Sequence, residues 1–131
     1  MTYPHWTLLH IPHSSTFIPP SVREQFCVSD EKLTSELIKM TDHLTLELFG
    51  AQNLPHQTIA AEVSRLVVDV ERFEDDRAEC MAAMGMGAIY TVTSDLLTLR
   101  RALTQAERVE LIHRHCRDHH RKLTARVEET L

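Results

Sequence analysis

Apolar and polar positions fall into blocks along the chain, and each block predicts an element. Leu8, Leu9 and Ile11 make a short apolar run that stops at Pro12. Proline cannot donate a ladder hydrogen bond, so a buried strand should end there. Ile18-Pro19-Pro20 then marks an extended connection. In the next block Ser29 is a helix cap and Asp30 and Glu31 fill the first turn. Leu33, Leu37, Met40, Leu44 and Leu48 follow at three- and four-residue steps up to Gly50. That spacing predicts one amphipathic helix with a glycine stop. Asp42 lies off the apolar stripe, one turn from Ile38 and Leu46, half exposed.

The run Arg65-Leu66-Val67-Val68-Asp69-Val70-Glu71-Arg72 is short and β-branched. It predicts a strand covered on both faces, with Arg65 and Asp69 on one face and Arg72 on the other. Phe73 to Arg77 reads as a solvated loop. Gly85-Met86-Gly87 reads as a loop before a strand over Ala88-Ile89-Tyr90-Thr91-Val92. Its glycines permit positive φ or close backbone approach, and no phosphate-loop spacing accompanies them. Thr104 and Glu107 form a capping-box pattern that opens the last helix. The apolar stripe of that helix runs Val109, Ile112, Cys116, Leu123, Val127 and Leu131. His120 fills the gap in the stripe as a core histidine. His115 and His119 are one turn apart, a metal-compatible spacing, but they sit off the stripe as solvated side chains. Glu128 and Glu129 in the final turn oppose the helix dipole, and few strands are present to cover two helices. Both points predict a domain that ends beyond Leu131.

At 131 residues the chain is the size of one domain with a real core. A hydrophobic content of 43% and a charged content of 25% place it among soluble globular proteins. The net charge of -5 argues against nucleic acid or an anionic membrane as partner. Nine histidines against two tyrosines and one tryptophan favour metal or proton chemistry. Cys27, Cys80 and Cys116 are widely spaced and odd in number, which fits free thiols in a reducing cytoplasm. No secretory signal opens the chain, and no apolar run approaches the ~20 residues of a membrane span.

The densest chemistry follows the first strand. Open α/β sheets bind ligands just past the carboxyl ends of their strands. His13 is therefore a candidate metal ligand or proton carrier, with Ser14 and Ser15 as hydrogen-bonding neighbours. Asp69, Arg65 and Arg72 are charges in an otherwise apolar run, where they cost free energy unless paired or used.

With these residues in view, the chain resembles the N-formylglutamate amidohydrolase family. The matching segments are His10-Ile11-Pro12-His13-Ser14-Ser15, Thr41-Asp42-His43 running to Glu47-Leu48-Phe49, and Ser64 through Arg72. Gly85-Met86-Gly87-Ala88-Ile89-Tyr90-Thr91 and Asp118-His119-His120-Arg121-Lys122-Leu123 complete them, in the family's order.

The resemblance implies an α/β fold, phosphorylase/hydrolase-like and related to the zinc carboxypeptidases. It implies a small, mostly parallel sheet flanked by helices in a single domain over 1–131, unfinished at its C-terminal end. It further implies a zinc-dependent hydrolase that releases formate from N-formylglutamate in histidine breakdown. By position, His13 is implied as a zinc ligand and Asp42 as a second. His120 is the implied catalytic polar group facing the same site. Arg65 and Arg72 are implied to read the substrate's carboxylates, with Ser14 beside them and Asp69 orienting an arginine or a ligand. Such roles suit the chemistry, because zinc activates water and arginine forks match carboxylates.

Departures from the family pattern are Ser15 and Leu96 in place of glycines and Glu71 in place of an asparagine. The family continues with an Asp-x-His-Ser motif and a late glutamate, implied as a further zinc ligand and a catalytic carboxylate. Two other outcomes fit the same residues: a non-catalytic dicarboxylate-binding remnant, and a hydrolase of another N-acyl amino acid.

Overall fold

Strand β1, Leu9–Ile11, ends at Pro12 as its sequence requires. It pairs in parallel with β2, Thr58–Ala60, in the register Leu9 to Thr58, His10 to Ile59 and Ile11 to Ala60. The computed structural model that shows this describes residues 2–131. A parallel pair needs a crossover of a dozen or more residues. Helices α1 (Pro20–Arg23), α2 (Asp30–Met40) and α3 (Thr45–Leu48) lie in that crossover. The result is a small α/β arrangement with a two-stranded parallel sheet among the described residues. No helix among them is long and apolar enough to cross a membrane.

Several expectations are corrected here. Leu66 to Val70 is not a strand but a buried chain of turns, although Leu66, Val67, Val68 and Val70 are core. Its backbone groups find partners without a ladder: Val67 N–H donates to Ser64 O, Asp69 N–H to Ala88 O and Arg72 N–H to Asp69 O. The buried Arg100 guanidinium adds a 2.7 Å bond to Leu66 O, serving a carbonyl that a neighbouring strand would otherwise have to cover. Ala88 to Val92 likewise forms only the isolated bridges Met86 to Tyr90 and Val92 to Thr98. Gly85 opens that segment at φ +80, where an added Cβ would stand 2.7 Å from Thr91 Oγ1. The tight packing there is against the protein itself.

Helix α2 starts where expected, with Lys32 N–H bonded to the Ser29 side chain at 3.1 Å. It ends at Met40 rather than running to Gly50, because Thr41 turns extended and Leu44 adopts φ +65. Leu33 is buried, but Leu44 and Leu48 are exposed. Glu36, on the flank of the stripe, is fully buried and accepts bonds from Ser94 N–H and Ser94 Oγ, both at 2.9 Å.

The capping box of Thr104 and Glu107 opens α4, Gln105–Leu111. The helix then widens to a π-helical segment over Ile112–Arg117 before α5, Asp118–Thr130. With bonds reaching five residues back, Leu111 and Cys116 share the buried face. The inward phase after Cys116 passes through His119, which is 7% exposed, and not His120, which is exposed. Val109, Val127 and Leu131 are exposed, so the helix is covered less than its apolar stripe suggested.

Candidate functional site

Asp69 is the hub of the site. It is completely buried, and its Oδ1 accepts from His13 Nε2 at 2.8 Å and from Glu71 N–H at 3.0 Å. Its Oδ2 accepts from Tyr90 OH at 2.7 Å and from Arg65 Nε and Nη2 at 3.2 and 2.9 Å. Arg72 Nε stands 3.7 Å from the same oxygen. Burial opposes the charge on Asp69, but the His13 and Tyr90 bonds and the nearby Arg65 outweigh it. The carboxyl is held far below the usual carboxylate range. Turn spacing, rather than strand spacing, brings Arg65 and Arg72 to the same side of Asp69, which corrects their assignment to opposite faces.

An ionised carboxylate can only accept, so the Nε2 of His13 carries the hydrogen. Nδ1 then points the other way, 3.6 Å from Asp42 Oδ2 and 3.9 Å from Glu71 Oε2. His13 itself is buried. The break after α2 places Asp42 there: its N–H donates to His13 O at 2.9 Å, while Thr45 Oγ1 donates to Asp42 O. Asp42 sits in that break with its side chain 57% exposed. His13 and Asp42 are the residues best placed to hold a metal. Among the described residues, no three His, Cys, Asp and Glu side chains form a ready-made metal cage.

Two adjoining clefts flank this centre. One is lined by Pro12, His13, Asp42, Thr45 and Phe49. The other is lined by Glu71, Arg72, Arg117 and His120, and His10 stands on the walls of both. His120 Nε2 lies 2.7 Å from the Val70 carbonyl and therefore carries a hydrogen. The neutral ring thus has its acceptor at Nδ1. Arg72 is also 3.5 Å from Glu79, a buried carboxylate that accepts from Phe73 and Met81 N–H.

The structure therefore brings His13, Asp42, Asp69, Arg65 and Arg72 together, with His120 across the neighbouring cleft. Arg65 spends its fork on Asp69. Ser14 is half buried and makes none of these hydrogen bonds, and Ser15 caps a turn through Phe17 N–H and Glu62 O. Sequence reading missed the hydroxyl of Tyr90 as a partner of Asp69. It also missed His10, whose Nε2 meets His119 Nε2 at 2.8 Å. Burial depresses the pKa values of both histidines, His119 to about 4. Neither pairing has a local sequence signal, since the partners are 21 and 109 residues apart.

No match was found among curated proteins or solved structures. Over residues 6–131 the sequence matches the profile of the family described as N-formylglutamate amidohydrolase. Essentially the whole chain is covered, and it carries the His13, Asp42 and Asp69 centre just described. The chain belongs to the N-formylglutamate amidohydrolase family.

Proposed function

We propose that this chain hydrolyses the formyl amide of N-formyl-L-glutamate, giving glutamate and formate in histidine breakdown, with zinc at His13 and Asp42. One observation carries the reading: a buried carboxylate fixes one nitrogen of His13 and aims the other at Asp42, beside a cleft lined by Arg72 and His120. The carboxylate–histidine arrangement is the usual support of a metal-bound imidazole. Two ligands around a tetrahedral zinc stand roughly 3.4 Å apart, close to the 3.6 Å between His13 Nδ1 and Asp42 Oδ2. That gap is too long for a hydrogen bond, so the donor pair fits the ion better than it fits itself.

Bound zinc supplies Lewis acidity, polarising the amide carbonyl and lowering the pKa of water. The protein's own groups do the rest. Asp69 holds the ring of His13 in one tautomer and orientation. Arg72, half-buried on the cleft wall, offers its guanidinium to a glutamate carboxylate, while Arg65 keeps Asp69 ionised. His120, with a hydrogen fixed at Nε2, presents Nδ1 to take or return a proton at the leaving amine. Cys27, Cys80 and Cys116 are all free thiols, which suits a cytoplasmic setting. A carboxypeptidase-related architecture and a single small-molecule substrate belong to the same reading.

Formate release is the direct test. Metal-free protein should gain turnover of N-formyl-L-glutamate on adding zinc, lose it with His13→Gln, and show a raised KM with Arg72→Ala. The incomplete ligand cage favours a second reading, a dicarboxylate-binding protein without turnover. Calorimetric binding of N-formyl-L-glutamate that needs Arg72 but yields no formate in the presence of zinc selects that reading.

A further inference from the structure

The geometry points to Arg117 as the residue that reads the second carboxylate of the substrate, the one on its side chain; this rests on the N-formylglutamate reading above. A dicarboxylate is held best by two cations. Arg65 is committed to Asp69 through both Nε and Nη2, which leaves Arg72 on the cleft wall for one carboxylate. Arg117 lies on the same wall, in a cleft of about 730 Å³ that also carries His120. That volume is within the range of roughly 300–1,000 Å³ usual for small-molecule sites.

The helix sets its position. The π-helical segment ends at Arg117 and α5 begins at Asp118. His120 follows three residues later, so both side chains reach one wall. Short π-helical segments recur at functional sites. The Arg117 fork is already set for a carboxylate: its Nε stands 3.1 Å from Glu74 Oε2, and its Nη2 3.1 Å from Glu74 Oε1. Glu74 lines the same cleft, so its carboxylate shows the geometry a substrate carboxylate would take. Both side chains are exposed, at 62% and 41%, and water competes for such a pair. Arg108 holds Glu74 by its backbone carbonyl, which lets the carboxylate swing aside without moving the chain. Arg72 stands 3.7 Å from Asp69, the partner of His13, and so suits the α-carboxylate beside the scissile amide. The side-chain carboxylate lies two methylenes farther out, toward Arg117.

Formate release in zinc and calorimetric binding to the metal-free chain test this, each with N-formyl-L-glutamate and its neutral isostere N-formyl-L-glutamine. A charge-assisted fork on the second carboxylate predicts that the parent prefers the glutamate compound by about 10-fold or more. Arg117→Ala should bring that preference close to parity, whereas Arg72→Ala should weaken both compounds together. Glu74→Gln, which frees the Arg117 fork, should raise the preference above the parent's. Circular dichroism reports the fold of each variant. A parent that handles both compounds alike, or an Arg117→Ala variant that keeps the parent's preference, overturns the Arg117 assignment and leaves the hydrolase reading standing. If the parent neither binds nor turns over N-formyl-L-glutamate, that reading fails and this inference with it.

Discussion

Asp69 and His13 are joined by a 2.8 Å bond from a ring nitrogen to a carboxylate that is wholly out of water. The rest of the site hangs on that bond, because fixing Nε2 is what commits Nδ1 to Asp42. Asparagine at position 69 is isosteric but neutral, and leaves the Arg65 charge without its partner. Asp69→Asn is expected to lower stability by about 3–5 kcal/mol and, on the zinc reading proposed above, zinc affinity about 10–100-fold. Zinc calorimetry and urea unfolding at neutral pH check both, and parental values in each would remove Asp69 from the centre of the site.

The His10 and His119 pair makes stability depend on pH. His119 titrates near 6.5 when unfolded, but burial lowers it to about 4 in the fold; His10 is lowered for the same reason. The unfolded chain therefore binds more protons between these values. The contribution is complete above pH 6.5 and is lost as pH falls toward 4, a change of about 2–3 kcal/mol from His119. Urea denaturation between pH 7 and pH 4.5 measures it. His119→Gln, which keeps a hydrogen-bonding group but cannot titrate there, should flatten most of the slope.

Leu96 occupies the left-handed region at φ +62, in the turn closed by Leu96 N–H to Thr93 O. A side chain there costs roughly 1–2 kcal/mol, while glycine adds about 0.4–1 kcal/mol of unfolded-state entropy. Leu96→Gly is therefore expected to stabilise the chain by about 0.5–1 kcal/mol, raising Tm by roughly 2–4 °C. The Leu96 side chain is exposed, so little packing is lost. A fall in Tm would contradict the strain.

Glu36 ties α2 to the Ser94 turn with two 2.9 Å bonds in a fully buried position. Glu36→Ala leaves the Ser94 N–H and hydroxyl without their acceptor, an expected loss of about 2–4 kcal/mol. Chemical denaturation reads it directly, and a loss under 1 kcal/mol would show that water replaces the carboxylate.

Local patterns foretold local structure. Pro12 ended β1, Ser29 capped α2, and Thr104 with Glu107 opened α4. Each depends on groups within four residues of one another, where spacing and side-chain chemistry suffice. The patterns failed where distant groups intervene. Arg100 and Ser64 satisfied backbone that read as a strand, and the π-helical turn after Leu111 sent His119 rather than His120 inward.

By itself, then, the sequence determined the family, the α/β character, the helix caps and the residue types of the site. Which of those residues meet was decided by tertiary structure: the break after Met40 that carries Asp42 to His13, and the hub at Asp69 that gathers His13, Tyr90 and Arg65. The physical reason is that an ordered site depends on hydrogen bonds between segments tens of residues apart. Their geometry exists only once the core has closed around a buried charge.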